Sequence, residues 1–474
     1  MKKHLRSLLA PLAVILICAG VAAQIPQPGA WPEWDKARDE AVGYLSGMVR
    51  IDSSNPPGDE TKVAAYIKDI LDKEGIGSEI LEMVPGRGSL VARLKGKGKK
   101  RPVLLMGHTD VVGVERDKWT VDPFAGIIKD GFVYGRGASD DKGMTTACLE
   151  VFLLLHRLKA PLDRDVIFLA EAGEEGTSEV GIDFLVEKHW DKIACEFALN
   201  EGGMIYKRDG RIQYVGVATT EKVPRRIRLV ARGVSGHGSM PRRDNAIVHL
   251  AAAVAKVGEW QMPMRLNETT RTFLERLAAI SPPAEARLLR ALLEPAPSEA
   301  AQETIRTSQV MLNSMLRTSI SPTIIKGGFR SNVIPAEAEV TLDVRALPDE
   351  DIPAMLARLR ELIDDPQVEV IPPPQRGRPA NPPSGIDTDM FRALERAQAR
   401  IFPEAVTLPL MVTGATDSAQ LRAKGVIAYG LGGVATDDER SRVHGHDERF
   451  SIEGMGKFVE LMYRALCDVA ASRD

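Results

Sequence analysis

Three glutamates crowd one short stretch, LAEAGEEG (169–176), directly after an apolar run. Glu171, Glu174 and Glu175 would repel one another there unless a positive group lay among them. Other residues capable of chemistry also follow apolar runs or glycine-rich turns. They are His108 and Asp110 in LLMGHTDVV, Asp140 and Asp141 in GRGASDDKG, Glu201 in LNEGG, and His444 and His446 in VHGHDE.

Bound metal would explain so many carboxylates in one place. Burying an unpaired carboxylate is expensive, and few cations stand nearby, Arg136 and Lys142 among them. Histidine, aspartate and glutamate are the ligands of hydrolytic zinc. Two ions about 3.5–4 Å apart, bridged by one carboxylate, would suit this number of acids. We therefore expect two divalent metal ions, zinc in the first place, with cobalt or manganese compatible with similar ligands.

His108 and Asp110 stand two residues apart, just after the run PVLLMG (102–107). In an extended segment such side chains lie on one face. The carboxylate can then accept the second imidazole N–H and fix the tautomer that binds metal. The same tripeptide also occurs in ordinary surface loops, so its spacing alone leaves both interpretations open.

The acids and histidines follow predicted strands of one sheet. Four short apolar runs have the composition of strands buried on both faces: PVLLMG (102–107), DVIFLA (165–170), CEFALN (195–200) and VIAYGLGG (426–433). A helical pattern at 143–158 separates the first two, and another at 451–470 closes the chain. This alternation predicts an α/β fold with a mostly parallel sheet covered by helices. In such sheets ligands bind beyond the carboxyl ends of the strands.

The middle of the chain shows a different pattern. Residues 224–234 and 338–347 alternate apolar and polar side chains, as half-exposed strands do, and a helical pattern follows each run. This predicts a small α+β domain inserted into the larger one, with a helix-rich surface excursion at roughly 265–318. The predicted bounds are 24–221 for the first part of the larger domain, 222–372 for the insertion, and 373–474 for the second part.

The first 23 residues have the features of a secretory signal peptide: a basic start, an apolar stretch and small residues before the cleavage point. We expect a mature protein that is periplasmic or secreted and not integral to the membrane, an uncleaved anchor being the alternative. A formal net charge of −3 without a basic stripe argues against a nucleic-acid partner. Cys148, Cys195 and Cys467 are odd in number and widely spaced, which favours buried thiols over disulfides.

Several segments together resemble the co-catalytic zinc amidohydrolases and exopeptidases. This family includes aminoacylase, carboxypeptidase G, acetylornithine deacetylase and succinyl-diaminopimelate desuccinylase. The resemblance covers nearly all of the mature chain, in the family's order. It implies a zinc exopeptidase-like catalytic domain with an inserted ferredoxin-like lid that mediates homodimerisation. The segments are LLMGHTDVV, GRGASDDKG, EAGEEG, LNEGG, GVSGHGSMP, NVIPAEAEVTLDVR, TGATDSAQLRAKGVIAYG and VHGHDE.

The resemblance implies a metal role for five residues. Asp140 would bridge the two ions, His108 and Glu201 would complete one site, and Glu175 and His444 would complete the other.

It also implies residues for catalysis and substrate binding. Glu174 would be the general base, and Asp110 would support a metal ligand from behind. His237, on the lid, would help to polarise the scissile carbonyl, often in a neighbouring subunit's site. The residues that would lie next to the substrate or line its pocket are Asn332, Arg345, Gly414 and Thr416.

Other residues leave alternatives open. Asp141 would cap the helix that follows or support a ligand, and Glu171 would support the site or be structural. His446 is an alternative to His444 as a ligand. Loop arginines that could meet a substrate carboxylate, or be solvated, are Arg330, Arg376 and Arg378. Histidines expected to be structural are His156, His189 and His249.

The implied reaction is hydrolysis of an amide or peptide bond next to a free carboxylate, by attack of a metal-bridging water with Glu174 as general base. Export favours a carboxypeptidase or dipeptidase acting on small peptides. An N-acyl amino acid deacylase, of the aminoacylase or acetylornithine deacetylase kind, is the alternative. A dinuclear-metal phosphoesterase would need more cationic groups to clamp phosphate. A non-catalytic metal-binding homologue would be expected to lack a ligand or the base, and every expected position is filled.

Overall fold

The computed structural model describes residues 31–375 and 377–472, so the predicted signal peptide (1–23) and Arg376 lie outside the described residues. The helices are α1 (Trp34–Val49), α2 (Glu60–Lys73), α3 (Lys142–Arg157), α4 (Ile182–Lys188), α5 (Trp190–Ile193), α6 (Ala246–Glu259), α7 (Glu268–Ile280), α8 (Pro283–Ala291), α9 (Glu299–Ser308), α10 (Val310–Met315), α11 (Ile352–Ile363), α12 (Asp389–Ile401), α13 (Ser418–Ala423), α14 (Asp437–Arg442) and α15 (Ile452–Ala470). The strands are β1 (Ser78–Glu82), β2 (Gly88–Leu94), β3 (Val103–His108), β4 (Ile127–Lys129), β5 (Phe132–Tyr134), β6 (Val166–Glu171), β7 (Phe197–Asn200), β8 (Met204–Arg208), β9 (Arg211–Glu221), β10 (Val223–Arg232), β11 (Gly236–His237), β12 (Ser319–Gly327), β13 (Val333–Ile334), β14 (Glu337–Ala346), β15 (Val368–Ile371), β16 (Val406–Val412), β17 (Ile427–Gly430), β18 (Val434–Ala435) and β19 (Arg449–Ser451).

The four apolar runs form adjacent strands at the centre of the main sheet. Strands β6, β3, β7 and β17 lie side by side in that order and pair in parallel. Strands β1, β2, β9, β8 and β18 extend the sheet on the two sides, and β16 pairs in parallel with β9. The predicted α/β fold with a mostly parallel sheet is therefore confirmed. The carboxyl ends of the four central strands meet at one edge.

Helices cover both faces of this sheet, which explains why its central strands are apolar up to the polar residues at their carboxyl ends. In β3, Val103 and Leu105 point to one face and join a core with residues of α1, α3, α12 and α15. Leu104 and Met106 point to the other face and pack with residues of α4 and α13. Helix α3 is buried along nearly its whole length, so the residues at its N-terminus are fixed firmly at the sheet edge.

The closing helix α15 packs on α1, α3 and α12 and completes the larger core. Neither this helix nor any other within the described residues is long and apolar enough to cross a membrane. Cys148, Cys195 and Cys467 are all buried and unpaired by disulfides, as the sequence predicted.

A second, antiparallel sheet builds the inserted domain. Its strand order is β12–β14–β10–β15, and α6 and α11 pack on one of its faces. The chain order of these elements, β-α-β-β-α-β, is the ferredoxin-like arrangement, so the predicted ferredoxin-like insertion is confirmed. Strand β12 lies at one edge of this sheet, where β14 is its one partner among the residues that the structure describes.

The helix-rich excursion predicted between the strands of this insertion consists of α7, α8, α9 and α10. These helices do not share the core of the ferredoxin-like sheet. Phe273 and Leu274 of α7 instead join a separate core with Leu408 and Leu410 of β16. The excursion thus packs on the main sheet, although the chain enters and leaves it through the inserted domain.

Candidate active site

The predicted metal ligands lie at the carboxyl edge of the central strands. His108 is the last residue of β3, and Asp140 stands two residues before α3. Glu175 and Glu201 follow β6 and β7, and His444 lies in the loop between α14 and β19. Because β6, β3 and β7 are neighbours, the sheet brings together residues that are far apart along the chain.

The carboxylate of Asp140 lies between two histidines. Its Oδ1 is 3.0 Å from His108 Nε2, and its Oδ2 is 3.0 Å from His444 Nε2. The same nitrogen of His444 is 2.8 Å from Glu175 Oε1. A carboxylate that turns one oxygen toward each of two ligand sets is suited to bridge two metal ions.

Two groups of ligand atoms are each compact enough to hold an ion, and His108 belongs to both. His108, Asp140 and Glu175 offer atoms that all lie within 4.8 Å of one another, and so do His108, Asp141 and Glu201. Asp141, which directly precedes α3, thus has its carboxylate beside the side chains of the predicted ligands His108 and Glu201. Its carboxylate makes no capping hydrogen bond to α3. It accepts the backbone N–H of His108 instead, at 3.3 Å, and so ties the end of β3 to the start of α3.

Neither cation singled out in the sequence contacts a predicted ligand. The ammonium group of Lys142 donates to the backbone oxygen of Ile51 at 2.7 Å. The guanidinium of Arg136 pairs with Glu448, Nη1 to Oε2 at 2.5 Å. The negative charge of the sheet edge is therefore not balanced by these two residues.

The pKa values of the site express this imbalance. Burial, together with the charges of Glu174 and Asp140, raises the pKa of Glu201 well above its usual range. Hydrogen bonds to Asp140 and Glu175 raise the pKa of His444 to about 10. Without metal, the protonated forms of Glu201 and His444 are therefore favoured. Divalent cations can take the place of those protons. The residues present fit two divalent metal ions.

Asp110 organises the residues around it. Its carboxylate is fully buried and lies 3.3 Å from His108 Nδ1, and its backbone oxygen lies nearer to the same nitrogen, at 3.0 Å. It accepts the backbone N–H groups of Glu174 and Glu175 at 3.1 and 3.0 Å, and the amide of Asn55 at 2.8 Å. Burial alone would raise its pKa, but the hydrogen bonds from His108 and Asn55 lower the pKa below its usual value. One carboxylate thus orients a predicted ligand and the loop that bears the predicted base.

Glu448 has an equivalent role for the loop of Asp140, and sequence reasoning missed it. Its buried carboxylate accepts the backbone N–H groups of Ser139 at 2.8 Å and of Asp140 at 3.0 Å. The ion pair with Arg136 holds this carboxylate in place. The only sequence signal was its position within VHGHDE, beside a predicted ligand.

Arg378 is a second residue whose place the sequence did not reveal. The sequence is compatible with a substrate-binding arginine or a solvated loop arginine here, yet only 16% of the Arg378 side chain is exposed. Its Nη2 is 2.6 Å from Glu174 Oε1, and its Nη1 is 3.0 Å from Asp417 Oδ1. Burial and the charge of Asp417 raise the pKa of Glu174 to about 8. Arg330, in contrast, is exposed on the inserted domain.

The predicted lid residues lie together but apart from the ligands. His237 on β11 pairs with Val333 of β13, and the backbone of Asn332 accepts the N–H of Gly238 at 2.8 Å. The His237 ring is exposed, and within the described residues its hydrogen-bond partner is Ser239, at 2.7 Å. Among the residues that the structure describes, the His237 side chain makes no hydrogen bond to a ligand at the sheet edge.

Arg345 and the loop after β16 are the remaining predicted substrate positions. Arg345 lies on β14 and its Nε is 3.1 Å from Asp343. Gly414 is partly exposed. Thr416 is buried, and its hydroxyl donates to Glu221 Oε2 at 2.8 Å, so this side chain braces the loop.

Glu171 and the histidines that are not predicted ligands complete the set of residues singled out in the sequence. Glu171 is fully buried, and neither of its carboxylate oxygens has a hydrogen-bond partner among the described residues. Burial and the charge of Asp417 raise its pKa well above the usual range. His446 is 3.4 Å from Glu115 and away from the ligands. The remaining histidines contact Glu74 (His156), Asp365 (His249) and Phe184 (His189).

A cavity of about 300 Å³ opens beside the ligands Asp140 and Glu201. Its walls are largely apolar, and Met204, Leu431 and Val434 are among them. An apolar group attached to the bond that is cleaved could therefore be accommodated next to the ligands.

A family model described as peptidase family M20/M25/M40 matches residues 104–468 of the chain. The matched segment holds all of the predicted ligands and the predicted base.

The chain is also similar to individual proteins. It is 31% identical over 393 residues to a probable carboxypeptidase S-like 2 of Dictyostelium discoideum, covering 80% of this chain and 74% of that protein. It is 28% identical over 378 residues to the human N-fatty-acyl-amino acid synthase/hydrolase PM20D1, covering 77% and 74%. Its fold resembles the M20 family metallo-carboxypeptidase Sso-CP2 of Sulfolobus solfataricus, with a TM-score of 0.69, 20% identity, and coverage of 91% of this chain and 100% of that one.

Proposed function

The chain belongs to peptidase family M20/M25/M40, and from this premise we propose that it hydrolyses an amide or peptide bond next to a free carboxylate, as a carboxypeptidase or dipeptidase does. The observation that carries the proposal is the Asp140 carboxylate, which lies 3.0 Å from both His108 and His444. The predicted base, Glu174, stands at the same sheet edge with 11% of its side chain exposed.

Two divalent ions, which we propose to be zinc, would be held by Asp140 as the shared ligand, by His108 and Glu201, and by Glu175 and His444. Asp141 lies close enough to His108 and Glu201 to assist the first set. Such ions, when bound, make a water molecule acidic and polarise a carbonyl. Cations at the neighbouring ligands would also favour the ionised form of Glu174.

Glu174 would move the proton. Its carboxylate would accept a proton from the attacking water and deliver it to the leaving amine, so that it ends the cycle ionised again. Glu175 cannot easily share this task, because adjacent side chains point in different directions and its own Oε1 is 2.8 Å from His444 Nε2. The two neighbouring glutamates therefore have different roles.

The substrate proposed first is a small peptide with a free carboxyl end. The carboxypeptidase S-like relative supports this choice by its name. An N-acyl amino acid is the second candidate, and two observations favour it: the name of the human relative and the apolar walls of the cavity beside Asp140 and Glu201. Assays of zinc-loaded protein on a panel of dipeptides and N-acyl amino acids of increasing chain length will distinguish the two.

Glu174→Gln tests the assignment of the base. We expect this variant to retain its metal, because Glu174 is not a proposed ligand, while turnover falls by about 10³-fold or more. Metal content is measured by elemental analysis of the dialysed protein. Glu175→Gln is the matched control, which should lose metal as well as activity. A Glu174→Gln variant with near-wild-type turnover would falsify the assignment.

We also propose export and a homodimer. The N-terminal signal features support a periplasmic or secreted protein, and fractionation of cells that express the full chain, with N-terminal sequencing of the product, tests this. The dimer would form through the inserted domain, whose edge strand β12 carries exposed apolar side chains, Ile324 and Ile325 among them.

A further inference from the structure

A buried guanidinium links the proposed base to a second acid. Arg378 lies on the segment between β15 and α12, and its Nη2 donates to both the Oε1 and the backbone oxygen of Glu174, at 2.6 and 3.3 Å. Its Nη1 donates to Asp417 Oδ1 at 3.0 Å. Only 16% of the Arg378 side chain and 1% of the Asp417 side chain are exposed. The contact between Arg378 and the two acids is therefore buried in the interior of the site.

We propose that Arg378 is a positioning residue that holds the Glu174 carboxylate in the orientation needed for proton transfer. The inference rests on the proposed function, since it assigns a partner to the base of that reaction. Glutamate has several rotatable bonds, and loss of its orientation weakens proton transfer steeply. Asp110 fixes the backbone of Glu174, but the carboxylate at the other end of the side chain needs a partner of its own. One nitrogen of Arg378 contacts both ends of this glutamate.

Asp417 holds the Arg378 guanidinium in place through an ion pair. Asp417 stands immediately before α13 and after Thr416, whose N–H and hydroxyl are both bonded to Glu221. Glu221 in turn pairs with Arg422, Nη1 to Oε2 at 3.0 Å. The acid that receives Nη1 is thus set in a braced, buried loop. A planar guanidinium can reach two acids at once in fixed directions, which a lysine ammonium cannot reproduce.

The same contacts argue against Arg378 as the group that binds a substrate carboxylate. Both of its terminal nitrogens already donate to acids of the chain. A substrate carboxylate that paired with both terminal nitrogens would compete with Glu174 and Asp417 for them, and loss of either contact would leave a buried acid without its partner. Arg378 should therefore affect the rate of the chemical step more than substrate affinity.

Arg378→Ala and Arg378→Lys, both loaded with zinc, test this with the best substrate of the panel. We expect kcat of Arg378→Ala to fall about 10²-fold, with KM changed by less than about threefold and metal content unchanged. Guanidinium ion at millimolar concentration should restore part of the lost kcat, because it can occupy the space left by the side chain. Arg378→Lys should remain well below wild type.

Arg164→Ala is the matched control. It removes another buried arginine, which pairs with Glu196 at 2.7 Å just before β6, at the opposite end of that strand. It should leave kcat unchanged and show no response to guanidinium. A KM that rises tenfold or more with kcat preserved, or a fall in kcat that guanidinium does not relieve, would overturn the proposal.

A crystallographic readout separates this proposal from the proposed function. In structures of the zinc-loaded wild type and of Arg378→Ala, we expect the Glu174 carboxylate to be ordered toward residue 378 in the first and displaced in the second. A wild type that is inactive on the whole panel would refute the proposed function, while the two structures would still decide the positioning role. An unchanged Glu174 conformation in Arg378→Ala would overturn the inference.

Discussion

At the scale of single residues, Asp110 shows how one buried acid supports the proposed chemistry. It contacts the imidazole of His108 and accepts the N–H groups of Glu174 and Glu175. Asp110 is not a predicted ligand itself. Its carboxylate nevertheless supports two predicted ligands, His108 and Glu175, and the predicted base, Glu174. Acids that support metal-bound histidines in this way contribute to metal affinity.

Asp110→Asn should weaken metal binding by about 10–100-fold. An asparagine replaces one of the two carboxylate oxygens with an NH₂ group, which would face the backbone N–H of Glu174 or of Glu175 as donor against donor, so the loop of these two residues would shift as well. Zinc affinity is measured by competition with a chromogenic chelator. The control is Asp165→Asn, at the opposite end of β6, where the carboxylate accepts the N–H of Gly96 at 2.9 Å. Equal zinc affinity in both variants would show that Asp110 does not support the ligands.

The order of strands and polar segments predicted that acids and histidines would gather at one sheet edge, and the family resemblance supplied the choice among them. His108, Asp140, Glu175 and His444 do lie within hydrogen-bonding distance of one another in pairs. The supporting residues could not be predicted in the same way. Arg378 stands in a proline-rich loop with no periodic pattern, and only the folded chain shows that its guanidinium reaches Glu174.

At the scale of elements, α3 carries a buried acid that the proposed site does not use. Glu150 is fully buried in the middle of this helix, and neither carboxylate oxygen has a hydrogen-bond partner among the described residues. Burial and then the charge of Glu40 raise the pKa of Glu150 to about 8. The helix therefore holds a neutral acid at neutral pH.

This carboxyl should make the stability of the protein depend on pH. Between the unfolded pKa near 4.5 and the folded pKa of about 8, the folded chain keeps a proton that the unfolded chain has released. The free energy of unfolding therefore falls as pH rises through this window. Glu150→Gln does not titrate, so its stability relative to wild type should increase from pH 5 to pH 8, by about 1–4 kcal/mol.

Chemical denaturation of both proteins at pH 5 and pH 8 measures this difference. Glu361→Gln is the control, since the Glu361 side chain on α11 is 69% exposed and its removal should alter neither value appreciably. A stability difference between wild type and Glu150→Gln that is the same at both pH values would show that the acid does not titrate as described.

Some elements were easier to predict from the sequence than others. The central strands were predictable because a strand covered on both faces is buried along its length, and β3 and β6 are apolar up to the polar residue that ends each of them. The location of α7–α10 was not predictable, because an amphipathic pattern shows that a helix buries one face but not which core receives it. Here Leu408 and Leu410 of β16 receive it.

At the scale of the whole molecule, the inserted domain presents an apolar surface that one chain leaves open. On β12, Ile324 and Ile325 are 52% and 66% exposed, and Phe329 just beyond the strand is 84% exposed. Ile247 and Val248 of α6 are also exposed. An edge strand with unpaired backbone groups is a template for pairing, and pairing with a second copy about a two-fold axis satisfies both chains equally.

Ile325→Lys should therefore convert the proposed dimer to monomer. A buried lysine pair across a two-fold axis would place like charges together without partners. Light scattering coupled to size exclusion gives the mass directly. Met83→Lys, at an exposed apolar residue of the catalytic domain, is the control and should leave the mass unchanged. A wild-type protein that is monomeric at micromolar concentration would contradict the dimer.

The dimer would also explain the position of His237, whose exposed ring has Ser239 as its hydrogen-bond partner among the described residues. If each His237 serves the site of the other subunit, two inactive variants should complement each other. In a heterodimer of Glu174→Gln with His237→Ala, one site has both defects and the other has neither. The isolated heterodimer should then show about half of wild-type turnover, because one of its two sites is intact. If His237 acts within its own chain, each site of the heterodimer keeps one defect and turnover stays at the level of the separate variants. Co-expression of the two chains with different affinity tags, followed by tandem purification, isolates the heterodimer for this assay.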